Sequence, residues 1–560
     1  MKAKKLIYIF AMLVLIVTSC EKVEFGNEFL DKPPSVDVTK DTIFNSLELA
    51  QRYLWQGYST LPYGLNLNFS AKGNKLGMDL LESLTDLNHT FMPWGGVNQL
   101  YYNGQYNAAV ADNSRVKYSY TGEESWDGIR IGWVFIENAD LIPDSTPEYI
   151  AQLKAEAKML IALHYTDMFR HYGGMPWVDH AYTPTENTDL PRSTSLETMN
   201  NIVALLDEAI ADLPWLTDDP ANWDGRFNKA AAMGLKARVL LFGASPLFND
   251  NQPYLAGEAS DKNYTWHGNY DPDLWAQAAQ AAKDLLDRVA LEGGYQLKNT
   301  GNPRQDFQDA YYDRGNGEVL ISTRVRYRYV DMFPMADGTP IDATGSGWDP
   351  NDPWANRDPR LYETVLVNGD DFQGRKAELW INGRERRNIN FNGTKSGFGI
   401  KKFLLDQNGA TSYQSVVHWP YMRLAEVYLS YAEALNEANG GPTAEAYASV
   451  NLIRNRVGLN NLRPGLSQEA FREAVLLERA LEFGYEEVRW FDIIRWKNEE
   501  AFTTKLHGVN TRKEGNTFSY EVFELPERFW QDNFSPKWYL SAFPPDEINK
   551  GYGLVQNPGW

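Results

Sequence analysis

The chain is expected to fold as a mainly α-helical protein, and three features of its 560 residues lead there. Apolar residues recur every three or four positions over long stretches, as in 148–172, 195–213 and 228–242, which is the period of a helix with one buried face. Those faces are rich in alanine and studded with aromatic rings, which suits close contact between helices. Strand-like runs are few, short and gathered between 291 and 415.

From the start of the chain, Lys2, Lys4 and Lys5 precede an apolar run from Leu6 to Val17, and Thr18-Ser19 then leads to Cys20. A charged start, an apolar middle and a small-residue junction make a secretory leader over residues 1–19. About a dozen apolar residues fall short of the ~20 that a spanning helix needs. The Val-Thr-Ser-Cys junction resembles a bacterial lipobox, so Cys20, the only cysteine, is expected to become the acylated N-terminus. Residues 20–40, with Pro33-Pro34, read as a lipidated polar tether. A helix follows at 42–57, with Leu47, Ala50 and Leu54 on one side, and 61–122 is a loop region of Gly, Asn, Tyr and Trp without a period.

Helical patterning resumes at Glu123 and persists to Phe248. In 148–172, Ile150, Leu153, Ala157, Leu160, His164 and Met168 share one face, and Gly173-Gly174 with Pro176 ends the helix. His164 on that face reads as a core histidine, and Trp126 and Trp133 read as core helix residues. Segments 195–213, 228–242 and 274–289 continue the pattern. Beyond 291, strand-like pieces at 319–323 and 365–367 alternate with Gly/Asp/Pro turns, and helices return at 421–438, 444–457 and 467–496. Helix pairs of this kind pack as tetratricopeptide units do, each burying its face on the next. No strict repeat of about 34 residues emerges, so the reading is an irregular helical solenoid whose loops at 61–122 and 250–415 make a second face.

Composition narrows the function. The net charge is −20, and −23 once the three leader lysines are removed. That balance opposes nucleic acid and anionic lipid as partners, because both demand clustered Lys and Arg. A single cysteine precludes an intrachain disulfide and a zinc site built on cysteine pairs. Seven histidines are scattered without HExxH spacing, and no nucleophile elbow or phosphate-binding glycine loop occurs. No metal or cofactor is predicted. Asp349, Asn351, Asp352 and Asp358 cluster in a turn that could hold calcium, but they depart from the EF-hand pattern and read as a solvated turn.

Several motifs together carry a family resemblance. They are Tyr421-Met-Arg-Leu-Ala-Glu-Val-Tyr-Leu with its continuation Tyr431-Ala-Glu-Ala-Leu-Asn436, Glu478-Arg-Ala-Leu-Glu-Phe-Gly-Tyr-Glu486, Arg489-Trp-Phe-Asp-Ile-Ile-Arg-Trp496 and the terminal Gln556-Asn-Pro-Gly-Trp560. Asp358-Pro-Arg-Leu-Tyr362, residues 226–241 and the Cys20 leader add to them. In order and spacing the set resembles the SusD/RagB family of Bacteroidetes outer-membrane lipoproteins. The resemblance implies one α/α superhelical domain over 41–560, with an N-terminal part (41–250) and a C-terminal part (251–560). It also implies a non-catalytic surface protein that captures an oligosaccharide or polysaccharide and delivers it to a SusC-like TonB-dependent transporter.

The motif carboxylates read as structural. Glu426 and Glu433 lie on one helix, whereas a glycosidase needs two carboxylates flanking a bond across a cleft; Arg454, Arg456 and Arg479 are available to pair with them. Asp492 and Arg495, three apart, are expected to pair on the helix surface. Function is expected in the aromatic loops, because a flat indole or phenol offers an apolar platform to a sugar ring and nearby amides can satisfy its hydroxyls. The loop 89–106 supplies Trp94, Asn98 and Tyr101, the loop 263–270 supplies Trp266, and 345–357 supplies Trp348 and Trp354. Glycines flanking Trp94 and Trp348 suggest room for a ligand. Two alternatives stay open: a tetratricopeptide-type scaffold or lid that binds protein or peptide, since interfaces are aromatic too, and a lipid-anchored glycoside hydrolase using Asp79, Glu82 or Asp86.

Overall fold

Several helices begin where the sequence supplies a side-chain cap. Ser46 accepts from Leu49 N at the start of α1 (Leu47–Ser59), and Thr146 with Pro147 opens α3 (Pro147–Tyr172), which follows α2 (Ser125–Asn138). On α4 (Ser195–Asp212), Thr194 and Glu197 form a reciprocal capping box. Asn228 caps α5 (Lys229–Ala244). α6 (Asp273–Glu292) and α7 (Pro303–Tyr312) lead into the irregular region, after which come α8 (Leu424–Ala438), α9 (Ala444–Arg456), α10 (Gln468–Glu482) and α11 (Arg489–Arg495). The computed structural model describes residues 40–62, 64, 75–217, 219, 225–313, 315–324, 334–341, 343, 345–386, 394–403 and 418–560. The leader and Cys20 lie outside the described residues.

The helices stack as a mainly α superhelix. α1 packs on α2, α2 on α3, α3 on α4, α4 on α5, α5 on α6, α6 on α8, and α8 on both α9 and α10. α3 is its axis: 26 residues long, it spans ~39 Å at the helical rise and is buried on every side from Met159 to Tyr172. Small residues let its neighbours close in. A Cβ on Gly57 of α1 would lie 2.3 Å from Leu160, and one on Gly132 of α2 would lie 2.5 Å from Ile161. His164 is a core residue: Thr60 Oγ1 lies 2.9 Å from its Nε2, and burial lowers its pKa to about 4. Among the described residues, no helix is long and apolar enough to cross a membrane.

Strands serve as ties. β1 (Val319–Arg324) pairs antiparallel with β2 (His418–Arg423), so the segment expected to be helical from Tyr421 becomes helical at Leu424, after Met422 and Arg423 have paired with Ile321 and Val319. Arg423 then meets Glu318 (2.7 Å), Glu482 (2.8 Å) and Glu486 (2.7 Å), all buried, which binds this ribbon to α10. The expected helix 467–496 is two helices. The chain turns between α10 and α11 with Tyr485 and Glu487 in the left-handed region (φ 68° and 56°), strain of ~1–2 kcal/mol per residue. Burial of Tyr485 and the ion pairs of Glu486 and Glu487 offset it.

The motif charges are structural, with partly different partners from those expected. Glu426 pairs with Arg238 (2.6 Å), and Arg479 reaches it only at 3.9 Å. Glu433 holds Arg495 through both carboxylate oxygens. Asp492 and Arg495 do pair (2.8 Å), but the pair is buried, not on the helix surface, because Arg479 also bonds Asp492 from α10. The hairpin of β3 (His507–Glu514) and β4 (Thr517–Glu524) was not anticipated, although its two-residue Gly515-Asn516 loop is a strong hairpin signal.

Candidate ligand-binding site

The loop bearing Trp94 is built on a buried aromatic layer. Residues Val97–Tyr102 form a π-helical turn that tucks Tyr101 and Tyr102 inward. Tyr101 is 1 % exposed; it stacks on Tyr106 at 4.9 Å, lies near Trp530 and Trp538, and its hydroxyl accepts from Lys117 N. It is a core residue and leaves the candidate set, because the turn directs its ring away from solvent. Tyr102 Oη donates to Ser83 O (2.7 Å), and His89 Nε2 donates to Pro526 O (2.9 Å). Burial lowers the His89 pKa to about 4, so this strut is a neutral imidazole.

Asn98 spends its amide N–H groups on the carbonyls of Thr90 (3.3 Å) and Met92 (3.0 Å), and Gln99 donates to Pro93 O (3.2 Å). These bonds brace the turn 92–96 that carries Trp94. The two glycines after Trp94 serve packing, contrary to the expectation of ligand room. A Cβ on Gly95 would lie 2.1 Å from Asp79 Oδ2, and one on Gly96 would lie 1.9 Å from the Arg115 carbonyl. Around Trp348 the expectation of open space does hold: Gly345 and Gly347 adopt φ of 82° and 78°, and a Cβ on either would meet nothing within 4 Å.

Trp94 is 43 % exposed and Trp348 38 %, and they are the exposed tryptophans among the described residues. Trp354 is half-buried, edge-on to Phe398 (5.3 Å) and Tyr520 (6.0 Å), which fastens the Trp348 loop to β4. The Trp94 loop borders the same stretch, since Lys395 Nζ lies 5.6 Å from the Phe91 ring. The loops of Trp94 and Trp348 therefore flank one segment, 394–400. Trp266 belongs elsewhere: its Nε1 donates to Ser260 O (2.8 Å), and its loop meets the end of α3 through Gly174 N and Tyr264 O. Trp530 and Trp538, which support the Trp94 loop from beneath, were missed because they are more than 400 residues away in sequence.

The hydrolase carboxylates do not face a cleft. Glu82 and Asp79 are buried, and Asp86 pairs with Arg489 (2.5 Å). Asp358 is turned inward onto Arg360 (2.8 Å), away from the exposed Asp349, Asn351 and Asp352, so the four do not converge.

Residues 287–560 match the sequence profile of the SusD family. The C-terminal half of this chain belongs to the SusD family. Over a longer span, the chain is 24 % identical across 531 residues to SusD-like protein P25 of Formosa agariphila, covering 88 % of this chain and 89 % of that one. A SusD-like protein from Bacteroides fragilis superposes with a TM-score of 0.71 at 23 % identity, over 94 % of this chain and 100 % of that one. Surface glycan-binding protein A from Bacteroides uniformis gives 0.60 at 19 % identity (91 % and 99 %), and a laminarin-binding SusD-like protein gives 0.58 at 17 % (92 % and 100 %). Over the aligned residues the fold is SusD-like.

Proposed function

We propose that this SusD-like chain is a non-catalytic cell-surface lipoprotein that holds an oligosaccharide on Trp94 and Trp348 and passes it to a SusC-like TonB-dependent transporter. The observation that carries the reading is the exposure of those two indoles on loops flanking one segment, while Tyr101, Trp266 and Trp354 are engaged in packing or hydrogen bonding within the fold. Each exposed indole offers a platform for the apolar face of a sugar ring. The glycan-binding and laminarin-binding neighbours support a carbohydrate ligand. Cys20 is the proposed acylation site, tethering the binder at the outer membrane and raising the local ligand concentration for its transporter.

Native affinity electrophoresis of the purified protein against a panel of polysaccharides tests the binding claim. Retardation by at least one glycan is expected; none across the panel would favour a peptide ligand or a protein scaffold. The anchor is tested by Cys20→Ala, which should release the protein from the membrane fraction and end its co-purification with the transporter.

A further inference from the structure

A second aromatic groove lies beside the start of α2, and nothing in the proposed mechanism uses it. It encloses about 440 Å³, within the ~300–1,000 Å³ range of small-ligand sites. Three separate stretches build it: the start of α2, the segment that follows α3, and the C-terminal turn near residue 550. Trp126 and Arg130, four apart, share one face of α2. The expectation that Trp126 is simply core is thus only half met. Its Nε1 is anchored to Tyr120 O (3.0 Å), yet the ring is half-buried and lines the groove beside Tyr120, Tyr182 and Tyr552.

Charge at the groove singles out Arg130. Lys550 is matched by Glu547 at 2.6 Å, and His180 contacts Asp179 and Glu186 at 2.6 and 3.4 Å, which become ion pairs only when the imidazole is protonated. Arg130 donates one N–H to the Tyr182 carbonyl (2.8 Å), and among the described residues no carboxylate pairs with it, Asp127 one turn earlier included. A guanidinium has five donors in a planar fork suited to a carboxylate. In a chain of net charge −20, an exposed arginine without an acidic partner beside four aromatic side chains is a local exception. Charges farther off than the ~8 Å screening length at physiological salt do little to oppose it.

We propose that this groove binds a hexuronate residue of an acidic oligosaccharide, with the sugar ring against Trp126, Tyr182 and Tyr552 and its carboxylate on Arg130. The site is independent of Trp94 and Trp348. The test is native affinity electrophoresis of the full mature chain in polygalacturonate, alginate and neutral laminarin, for wild type, Arg130→Gln, Tyr182→Ala and Trp94→Ala. Arg130 is exposed, so Arg130→Gln should fold normally, and an unchanged thermal melt confirms that. The expected result is retardation by at least one of the two uronate polymers, weakened at least fivefold by Arg130→Gln and by Tyr182→Ala, and unchanged by Trp94→Ala. Absence of retardation in both uronate polymers overturns the proposal, as does full retention by Arg130→Gln. Loss of transporter co-purification in Arg130→Gln without any uronate binding would also overturn it and make the groove a protein interface. Loss of laminarin binding by Trp94→Ala bears only on the other site, so failures of the two are distinguishable.

Discussion

The backbone N–H of Glu487 donates a 2.7 Å hydrogen bond to Oε1 of Glu82, placing two acidic residues from opposite ends of the chain in contact. Lys75 closes the joint by pairing with Glu487 Oε2 at 2.7 Å. The contact locks the loop region to the turn between α10 and α11, and it is why Glu487 holds a left-handed conformation (φ 56°). It also keeps Glu82 out of water.

Burial first, and the Glu487 carboxylate second, push the Glu82 pKa up to about 8 from 4.5. Between those values the folded state holds a proton that the unfolded chain lacks. The stabilisation is complete below about pH 4.5 and is lost as pH rises toward about 8, with a slope of up to ~1.4 kcal/mol per pH unit. Glu82→Gln keeps the Oε1 acceptor and removes the titration. Its melting temperature should exceed wild type at pH 8, with the gap closing toward pH 5; thermal melts across that range check it, and parallel curves would refute it.

Lys117 carries the opposite sign. Its ammonium is buried, bonded to Ser541 Oγ at 2.5 Å and set 5.6 Å from the rings of Tyr106 and Trp490. Burial lowers its pKa to about 7 from 10.5. From about pH 10.5 down to about 7 the unfolded chain binds a proton that the folded state does not, so stability falls across that window and then levels off. Lys117→Met should raise the melting temperature at pH 7 and lose that advantage near pH 10.5. A variant less stable than wild type at pH 7 would show that the Ser541 bond outweighs desolvation.

Glycines beside the two exposed indoles should respond differently. Gly96→Ala forces a Cβ onto the Arg115 carbonyl, overpacking that costs ~1–3 kcal/mol, and it should weaken glycan binding by displacing the Trp94 turn. Gly347→Ala meets no neighbour and suffers only its positive φ, ~1–2 kcal/mol confined to an exposed loop. Melting temperature and affinity measured together should both fall for Gly96→Ala, while Gly347→Ala should lower melting by no more than its backbone strain of ~1–2 kcal/mol.

The scaffold was legible because helices announce themselves locally. Thr194 with Glu197, Pro147 with Gly173, and the spacing of Leu153, Leu160 and Met168 each place an element without reference to distant residues. The site was legible only as loops. Trp94 and Tyr101 lie seven apart in one aromatic stretch, and a π-helical turn decides which faces water. That turn is stabilised by Pro526 and by rings at 530 and 538, contacts that no local pattern encodes. The break before α11 was hidden for the same reason: Glu486 and Glu487 have good helical propensity, and it is their distant partners Arg423, Lys402 and Lys75 that pull them out of the helix. The hairpin at Gly515-Asn516, by contrast, is encoded locally by its two-residue loop.

Trp94 and Trp348 are proposed to hold the glycan, and calorimetric titration with a neutral glycan that retards the wild-type protein tests that assignment most directly. Trp94→Ala and Trp348→Ala should each weaken the dissociation constant at least tenfold, ~1.4 kcal/mol, with the double variant showing no measurable binding. Tyr101→Phe, altered in the buried layer, should bind within about twofold of wild type if it remains folded, since that is far below a tenfold, ~1.4 kcal/mol effect. Wild-type affinity in both tryptophan variants would contradict the assignment and move the ligand elsewhere on the protein.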